Sequence, residues 1–499
     1  MSPCDVASDV AMSCRPEQRE LRHPFARIVQ RLAPPPLRRA LAGPAGWADE
    51  VVFGAGERAV SQRIALTAFL IRIISAVIAY ASQVLLARWM GDFEYGVYVL
   101  VWVGAVIVGG LACFGIQTAV VRFVPEYAER GDHDLLRGII LGSRLQGIAS
   151  ATALAGLGIL GIWLLGDHIA SYYVMPLYLA AICIPMLAIG EIQDGLARGF
   201  NWPDLALWPT FIIRPVLIIA LTFAAIRLGA LPDAVTAMIA AIVATYATAL
   251  WQMLALARRA RRVVPDGLRR FRPRTWVAVA LPIFLVEGFF NLLTNVDILI
   301  VGQLRPPEEV AIYFAAVKTL ALVHFVYFAV RAALMPRFSQ YYSSGDRARF
   351  EAAVRDSLHW TFWPSLATVG LLLVFGQMLL AMFGPSFIAG YPLLYIFSVG
   401  LLFRAAIGPA ESILTMAGEQ RICAAVYAAT FVVNLALNYA LIPRFGLHGA
   451  ATATAIALVL ETIAVYLAVR WRLGLNCSIF HVTGTRSLKR GTGTNGSQP

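Results

Sequence analysis

From residue 64 onward the chain is a train of long apolar runs separated by short polar stretches. Crossing a hydrocarbon core takes roughly 20 residues of helix. Runs of about that length fall at residues 64–87, 97–117, 139–165, 172–191, 207–226 and 234–257. A second set falls at residues 277–302, 310–334, 358–383, 391–415, 423–442 and 447–470. The runs are continuously apolar instead of alternating, and a backbone exposed to lipid must satisfy its own hydrogen bonds. Helices are therefore expected, and barrel strands are not.

The two sets are copies of one another. The stretch LLARWMGDFEYGVYVL, an apolar run and VRFVPEYAERGDHDLLR returns 215 positions later as LIVGQLRPPEEVAIYFAAV, an apolar run and MPRFSQYYSSGDRARFEAAVR. At that constant offset Glu94, Tyr98, Val108, Arg122 and Phe123 meet Glu309, Tyr313, Val323, Arg337 and Phe338. Gly131-Asp132 meets Gly345-Asp346 after a one-residue gap. A glycine can end one helix in the left-handed conformation while the aspartate caps the next, so these dipeptides are read as punctuation between the second and third spans of each half. The predicted fold is an all-α membrane protein. It has twelve transmembrane helices in two six-helix bundles, related by a pseudo-twofold axis along the membrane normal.

Composition agrees with a membrane protein: 59% of residues are hydrophobic, 14% are charged and the mean hydropathy is +0.70. The net charge of +12 does not point to nucleic acid, because the basic residues lie between apolar runs. There they set orientation and attract anionic membrane lipid. One set of loops holds Arg122, Arg130 and Arg137, the eight arginines between Arg258 and Arg274, then Arg337, Arg347, Arg349 and Arg355. The opposite loops hold little beyond Arg88, Arg227, Arg305 and Arg444. The basic side is assigned to the cytoplasm, which puts both termini inside a plasma (inner) membrane protein. The domain reading is a disordered tail (1–60), a first bundle (61–257), a basic linker (258–276), a second bundle (277–470) and a second tail (471–499). The Pro/Arg-rich first tail shows no apolar core of a signal peptide.

The six cysteines have no paired spacing, so neither a disulfide framework nor a zinc site is expected. The one DxD match, Asp132-His133-Asp134, is too short to argue for a metal-dependent transferase, and no phosphate-cradling P-loop is present. No catalytic residue, metal or cofactor is assigned.

LLARWMGDFEYGVYVL with the later GIQTAVVRFVPEYAERGD resembles the N-terminal signature of polysaccharide exporters, the Wzx-type flippases of the multidrug/oligosaccharidyl-lipid/polysaccharide (MOP) superfamily. The stretch AGEQRICAAVYAATFVVNLALNYALIPRFGLHGAATATAIALVLE is similar to the C-terminal polysaccharide-biosynthesis region of that family. The resemblance spans about residues 60 to 470. It implies two bundles around a central cavity that rock to carry a polyprenyl-pyrophosphate-linked oligosaccharide across the membrane, alongside other polysaccharide-assembly proteins. It transfers no individual functional residue.

Ionisable groups deep in a span are costly and usually face a wet interior or a partner. Those nearest mid-depth are Arg72, Arg214, Glu287, His324, Arg404 and Glu461. Arg72 and Glu287 are related by the same 215 positions, which predicts equivalent depths on facing helices. At helical spacing Glu287, Asn291, Thr294 and Asn295 share one face, as do Arg72, Ser75 and Gln83. Two polar stripes predict a hydrated cleft. Arg72, Glu287, Asn291, Asn295, Arg404 and Arg214 are assigned to a substrate cavity, because a guanidinium fork meets phosphate oxygens bidentately. Glu287, His324, Glu191 and Asp194 are assigned as proton or gate residues, and Glu461 as the partner of a neighbouring helix. A static Arg72–Glu287 ion pair is the competing structural reading.

Two other functions fit a polytopic chain. A cation-coupled multidrug antiporter of the same superfamily would favour buried acids over buried arginines. A membrane-embedded polysaccharide polymerase or ligase would need an ordered external domain, whereas the external loops here are about ten residues or fewer by the predicted span limits.

Overall fold

A computed structural model describes residues 57–323, 338, 341, 346–475 and 477–479, with side chains described from Ile71 onward except those of Arg72 and Arg347. Among these residues the structure is helical and contains no strand. The helices are α1 (Glu57–Ala112), α2 (Ile116–Glu129), α3 (His133–Leu165), α4 (Ser171–Gly199), α5 (Pro203–Trp208), α6 (Arg214–Arg227) and α7 (Ala234–Ala260). They continue as α8 (Pro273–Leu304), α9 (Pro307–Leu320), α10 (Arg347–Ala381), α11 (Tyr391–Ala406), α12 (Ala410–Met416) and α13 (Gln420–Leu473). Nine helical segments among the described residues are long and apolar enough to cross a membrane. Their apolar side chains point outward as well as inward. Leu157, Leu160, Trp163 and Leu164 of α3 and Val374 and Met378 of α10 are exposed, as lipid-facing helices require.

The chain falls into two units, residues 1–72 and 73–499. The described part of the first is the opening stretch of α1. In the second, α4 packs against α2, α3 and α7, while α13 packs against α8 and α11. The meeting of α2 with α8 joins the two copies of the repeat.

Two helices are bent by single glycines. α1 is 56 residues long and α13 is 54, which at 1.5 Å per residue would reach about 80 Å, far beyond one bilayer. Gly91 (φ 78°) breaks α1 and Gly446 (φ 57°) breaks α13, in a region of backbone space open to glycine at little steric cost. The Gly-Asp reading holds at Gly131-Asp132 and for the cap at Asp346, while Gly345 lies outside the described residues. Asp132 accepts from the Leu135 N–H at 3.2 Å and Asp346 from the Arg349 N–H at 3.1 Å, each capping the helix that follows. Gly131 ends α2 at φ 69°. The repeat is also legible in packing, since Phe123 and Phe338, like Tyr98 and Tyr313, are buried pairs at the common offset.

One predicted boundary is wrong. The apolar run ending near residue 117 does not give way to a loop. After a three-residue break at 113–115 it continues as α2 to Glu129. The polar face of VRFVPEYAE, with Arg122 and Glu126 at ion-pair distance (3.7 Å), disguised helix as connection.

The halves meet closely where α1 passes its kink. Arg88 donates to the Met382 carbonyl (2.6 Å) and the Ala381 carbonyl (2.8 Å), at the C-terminal end of α10 where a cation is favoured. Tyr80 bonds Thr319 and Leu379, and Tyr95 stacks edge-on with Phe314 and Phe387. Gly96 sits directly on the Pro307 carbonyl, where an added methyl would overlap it. Gly96→Val is expected to lower the thermal unfolding midpoint of the purified protein and broaden its gel-filtration peak. Gly158→Val, at a position with open space around it, should leave both unchanged.

Candidate functional site

Three places where a helix loses its regular form coincide with three sets of buried charge. The first is the break between α1 and α2. Phe114 (φ 48°) and Gly115 (φ 77°) both occupy the left-handed region, and for phenylalanine that is strained. The break lets Gly115 press against the backbone of α8, since a side chain there would overlap the Ala280 carbonyl and crowd Phe284. It also aims the N-terminal turn of α2 at α8. Thr118 donates to both carboxylate oxygens of Glu287 (2.8 and 3.0 Å), and the Gln117 amide donates to one of them (3.2 Å).

A carboxylate at a helix N-terminus is favoured by the partial positive charge there, by about 0.3–1 kcal/mol and up to about 2 when partly buried. No cation among the described residues pairs with Glu287. Arg198 and Glu191 act on it only at longer range. The rest of the predicted stripe on α8 faces the same way. Asn291 lies against Gly110, and its side-chain oxygen accepts from Asn295 (3.0 Å). The expected partner, Arg72, has a side chain outside the described residues, and His324 lies outside them altogether.

The second irregularity precedes α6. Residues Pro209–Ile213 form a π-helical turn, and Arg214 closes it by donating its N–H to the Pro209 carbonyl. Pro215 follows and has no N–H to give the residue four back, so the widened turn has a local cause. Arg214 borders a cavity of about 90 Å³ together with Ser82, Gln83, Tyr98 and Trp102. Its guanidinium lies 5.9 Å from the Trp102 ring, which is stacked in turn on Tyr98. Among the described residues no carboxylate is within ion-pair distance of Arg214, although Glu191 and Asp194 lie in electrostatic range. Asp194 is held by Arg198 at 3.0 Å.

The third irregularity is the break between α11 and α12, where Gly408 (φ 57°) precedes Pro409. Arg404, in the last turn of α11, bridges Glu411 (2.9 Å) and Glu461 (3.0 Å); Glu461 is buried and the other two side chains are largely so. Tyr427 donates to Glu411 at 2.7 Å. Glu461 is thus the helix partner the sequence suggested. Arg404, expected at phosphate, is instead engaged by two carboxylates.

Sequence reasoning passed over Arg144 of α3, which donates to Gln193 of α4 at 3.0 Å. Its position near the start of an apolar run made it look like an interfacial residue, although an arginine inside the run was visible. Gln117, Thr118 and Glu411 were missed because a site made by a helix break has no periodic signal.

The family described as polysaccharide biosynthesis protein matches residues 63–342, and a second family, MatE, matches residues 282–440. The chain is 24% identical to the probable low-salt glycan biosynthesis flippase Agl15 of Haloferax volcanii over 414 residues, covering 80% of this chain and 82% of that protein. Among solved structures it resembles a multidrug resistance MATE family transporter of the MOP superfamily in an inward-facing conformation. The TM-score is 0.68 at 14% identity, over 80% of this chain and 94% of that one. It also resembles the lipid II flippase MurJ in an inward closed conformation, with a TM-score of 0.65 at 16% identity, over 81% and 87% of the two chains. At these identities the solved structures establish a shared fold.

The bond between α2 and α8 is open to a double-mutant cycle. Thr118→Val strands the Glu287 carboxylate and should cost about 1–3 kcal/mol of stability. In a Glu287→Gln background the same change should cost clearly less, with a coupling of about 1 kcal/mol or more by denaturation of the detergent-purified protein.

Proposed function

Because the chain belongs to the polysaccharide biosynthesis protein family, we propose that it acts as a Wzx-type flippase of the MOP superfamily. It carries a lipid-linked oligosaccharide, with polyprenyl pyrophosphate as the lipid carrier, across the membrane by alternating access for cell-surface polysaccharide assembly. It is a transporter and not an enzyme. The flippase relative and the MurJ fold support this reading. The observation that carries it to the atomic level is Arg214, an arginine without an ion-pair partner among the described residues, set beside a cavity with an aromatic wall.

The bends support a twelve-span reading of the membrane topology. Counting α1 and α13 twice, once on each side of Gly91 and Gly446, and adding the span that α9 begins, gives twelve crossings from the nine long segments. In this reading they form two six-helix bundles joined by the basic linker. The arginine-rich loops and both termini lie on the cytoplasmic face of an inner membrane, against anionic headgroups.

In this reading Glu287, Asn291 and Asn295 border the substrate cavity. Arg214 holds the pyrophosphate, whose oxygens a guanidinium meets bidentately, and Arg72 is assigned the same task from its place in the sequence. Trp102, backed by the stacked ring of buried Tyr98, offers a flat apolar face to sugar rings. Glu287 supplies the counter-charge that occupies the cleft between cargoes. Glu191, Asp194 and His324 act at its mouth as gate or proton residues. A multidrug antiporter of the MatE type is the second reading, favoured by the match to residues 282–440.

A strain lacking the protein should accumulate a lipid-linked glycan on the cytoplasmic leaflet and lose surface polysaccharide. Unchanged polysaccharide with new sensitivity to cationic dyes would favour the antiporter. Arg72→Ala and Arg214→Ala should each cut export about tenfold or more, the worth of one charge-assisted hydrogen bond, with membrane levels unchanged. Arg72→Lys should restore part of it. Full export by both alanine variants would remove these arginines from the pathway.

A further inference from the structure

The linker between α7 and α8 is fixed to the first copy of the repeat by its own backbone. Arg137 of α3 donates to the Leu268 carbonyl at 2.8 Å and to the Pro265 carbonyl, while Asp134 holds the same guanidinium. Gly267 lies against that guanidinium, where an added Cβ would fall 2.6 Å from it. Farther on, the Arg270 N–H donates to the Asp134 carbonyl at 3.0 Å, and Gly138 is so near the Arg270 carbonyl that a side chain would overlap it. These contacts occupy backbone groups and leave the linker's side chains turned outward. Between Arg258 and Arg274 stand eight arginines and one acid, Asp266. Arg259 pairs with Asp204 at 2.8 Å. Arg269, Arg270, Arg272 and Arg274 are exposed and have no ion-pair partner among the described residues. Two large apolar side chains stand exposed beside them, Leu268 at 81% and Phe271 at 48%.

The depth of this surface is set by α3. The rings of Phe271 and Trp276 both close on Gly142, and one turn farther along the same helix Leu145 and Ile148 are exposed apolar residues. Those two need lipid tails beside them, so the linker, packed one turn earlier, lies at the headgroup layer. Arginines with interleaved leucine and phenylalanine suit that layer, where phosphate oxygens and the acyl boundary are both within reach.

We propose that the linker and the first turns of α3 form a docking surface for anionic phospholipid headgroups. The guanidinium groups of Arg269, Arg270, Arg272 and Arg274 bond phosphate oxygens, Leu268 and Phe271 enter the acyl boundary, and Arg137 holds the backbone in place. A lipid bound there sits at the junction of the two copies, since Pro273 begins α8. The proposal rests on the placement of the arginine-rich loops against headgroups in the reading above, and assigns that contact to one built surface. It does not depend on the cargo.

The test uses the full-length protein in nanodiscs of phosphatidylcholine with a rising fraction of phosphatidylglycerol, at fixed ionic strength. Headgroups that bind the folded state raise the thermal unfolding midpoint with their concentration. Near an anionic surface one arginine is worth about a fivefold change in binding. Combining Arg269→Gln, Arg272→Gln and Arg274→Gln should therefore raise the phosphatidylglycerol fraction that gives half the response by about tenfold or more. Combining Arg355→Gln, Arg421→Gln and Arg470→Gln, an equal loss of charge from exposed arginines of the second copy, should keep the wild-type response. All six side chains are exposed, so neither set is expected to disturb folding, and Leu268→Asp gives a second reading by weakening the response on its own. Equal losses in the two triple variants reduce the effect to diffuse charge. A wild type indifferent to phosphatidylglycerol, or a linker variant that responds as the wild type does, leaves the surface to an acidic protein segment. Each of these results overturns the proposal. Nanodiscs offer the same lipid to both faces, so the outcome is independent of orientation, and protease access to the linker in sealed vesicles tests the cytoplasmic placement separately.

Discussion

A charge carried into a bilayer on a helix costs about 2.5–3.5 kcal/mol on insertion scales, because the helix spends its own polar groups on itself and has none to offer a guest. This chain meets that constraint by giving up helical regularity where charge is buried. The break at 113–115 turns a helix N-terminus, with Gln117 and Thr118, toward Glu287. The π-helical turn at Pro209–Ile213 makes room beside Arg214. The break before Pro409 leaves the end of α11 beside Arg404, Glu411 and Glu461. Arg144 shows the alternative. It sits in an uninterrupted helix and is met by a neutral amide, Gln193, from the next one.

Regular packing elsewhere makes those departures affordable. Glycines remove side chains where helices must touch, as Gly96 does on Pro307 and Gly115 on α8. Close backbone approach replaces the hydrophobic drive that lipid cannot supply between apolar helices. Near the α1 kink the contacts between the two halves are of another kind. Arg88 reaches carbonyls at the end of α10, and Tyr80 reaches Leu379. Both reach backbone carbonyls in the last turn of α10 or just past it, the Arg88 bonds in an exposed place and the Tyr80 bond in a partly buried one.

The scaffold was readable because apolar runs and their duplication are properties of the linear chain. The capping roles of Asp132 and Asp346, and the equal burial of Phe123 and Phe338, follow from that repeat. The polar stripe through Glu287, Asn291 and Asn295 was equally visible, since it needs only the pitch of a helix. The partners of those residues were not. A hydrogen bond from Thr118 to Glu287 joins groups 169 positions apart through a break at Phe114, a residue with no preference for the left-handed region. The partners of Arg404 were illegible for a related reason. An arginine at mid-depth can meet phosphate or carboxylate equally well, and its two acidic partners come from α12 and α13, beyond any local pattern.

The repeat and the charges tell different stories, and the difference matters for transport. The duplication carries into the backbone and core, as the paired burial of Phe123 with Phe338 and of Tyr98 with Tyr313 shows. Charge has not followed the duplication. The cavity beside Arg214 carries a cation without an ion-pair partner among the described residues, whereas Arg404 in the second copy is engaged by Glu411 and Glu461. Equal halves with equal charge would draw the same ligand to both sides of the cleft. An open guanidinium in one copy and a carboxylate-engaged one in the other leave one copy, not both, suited to an anion.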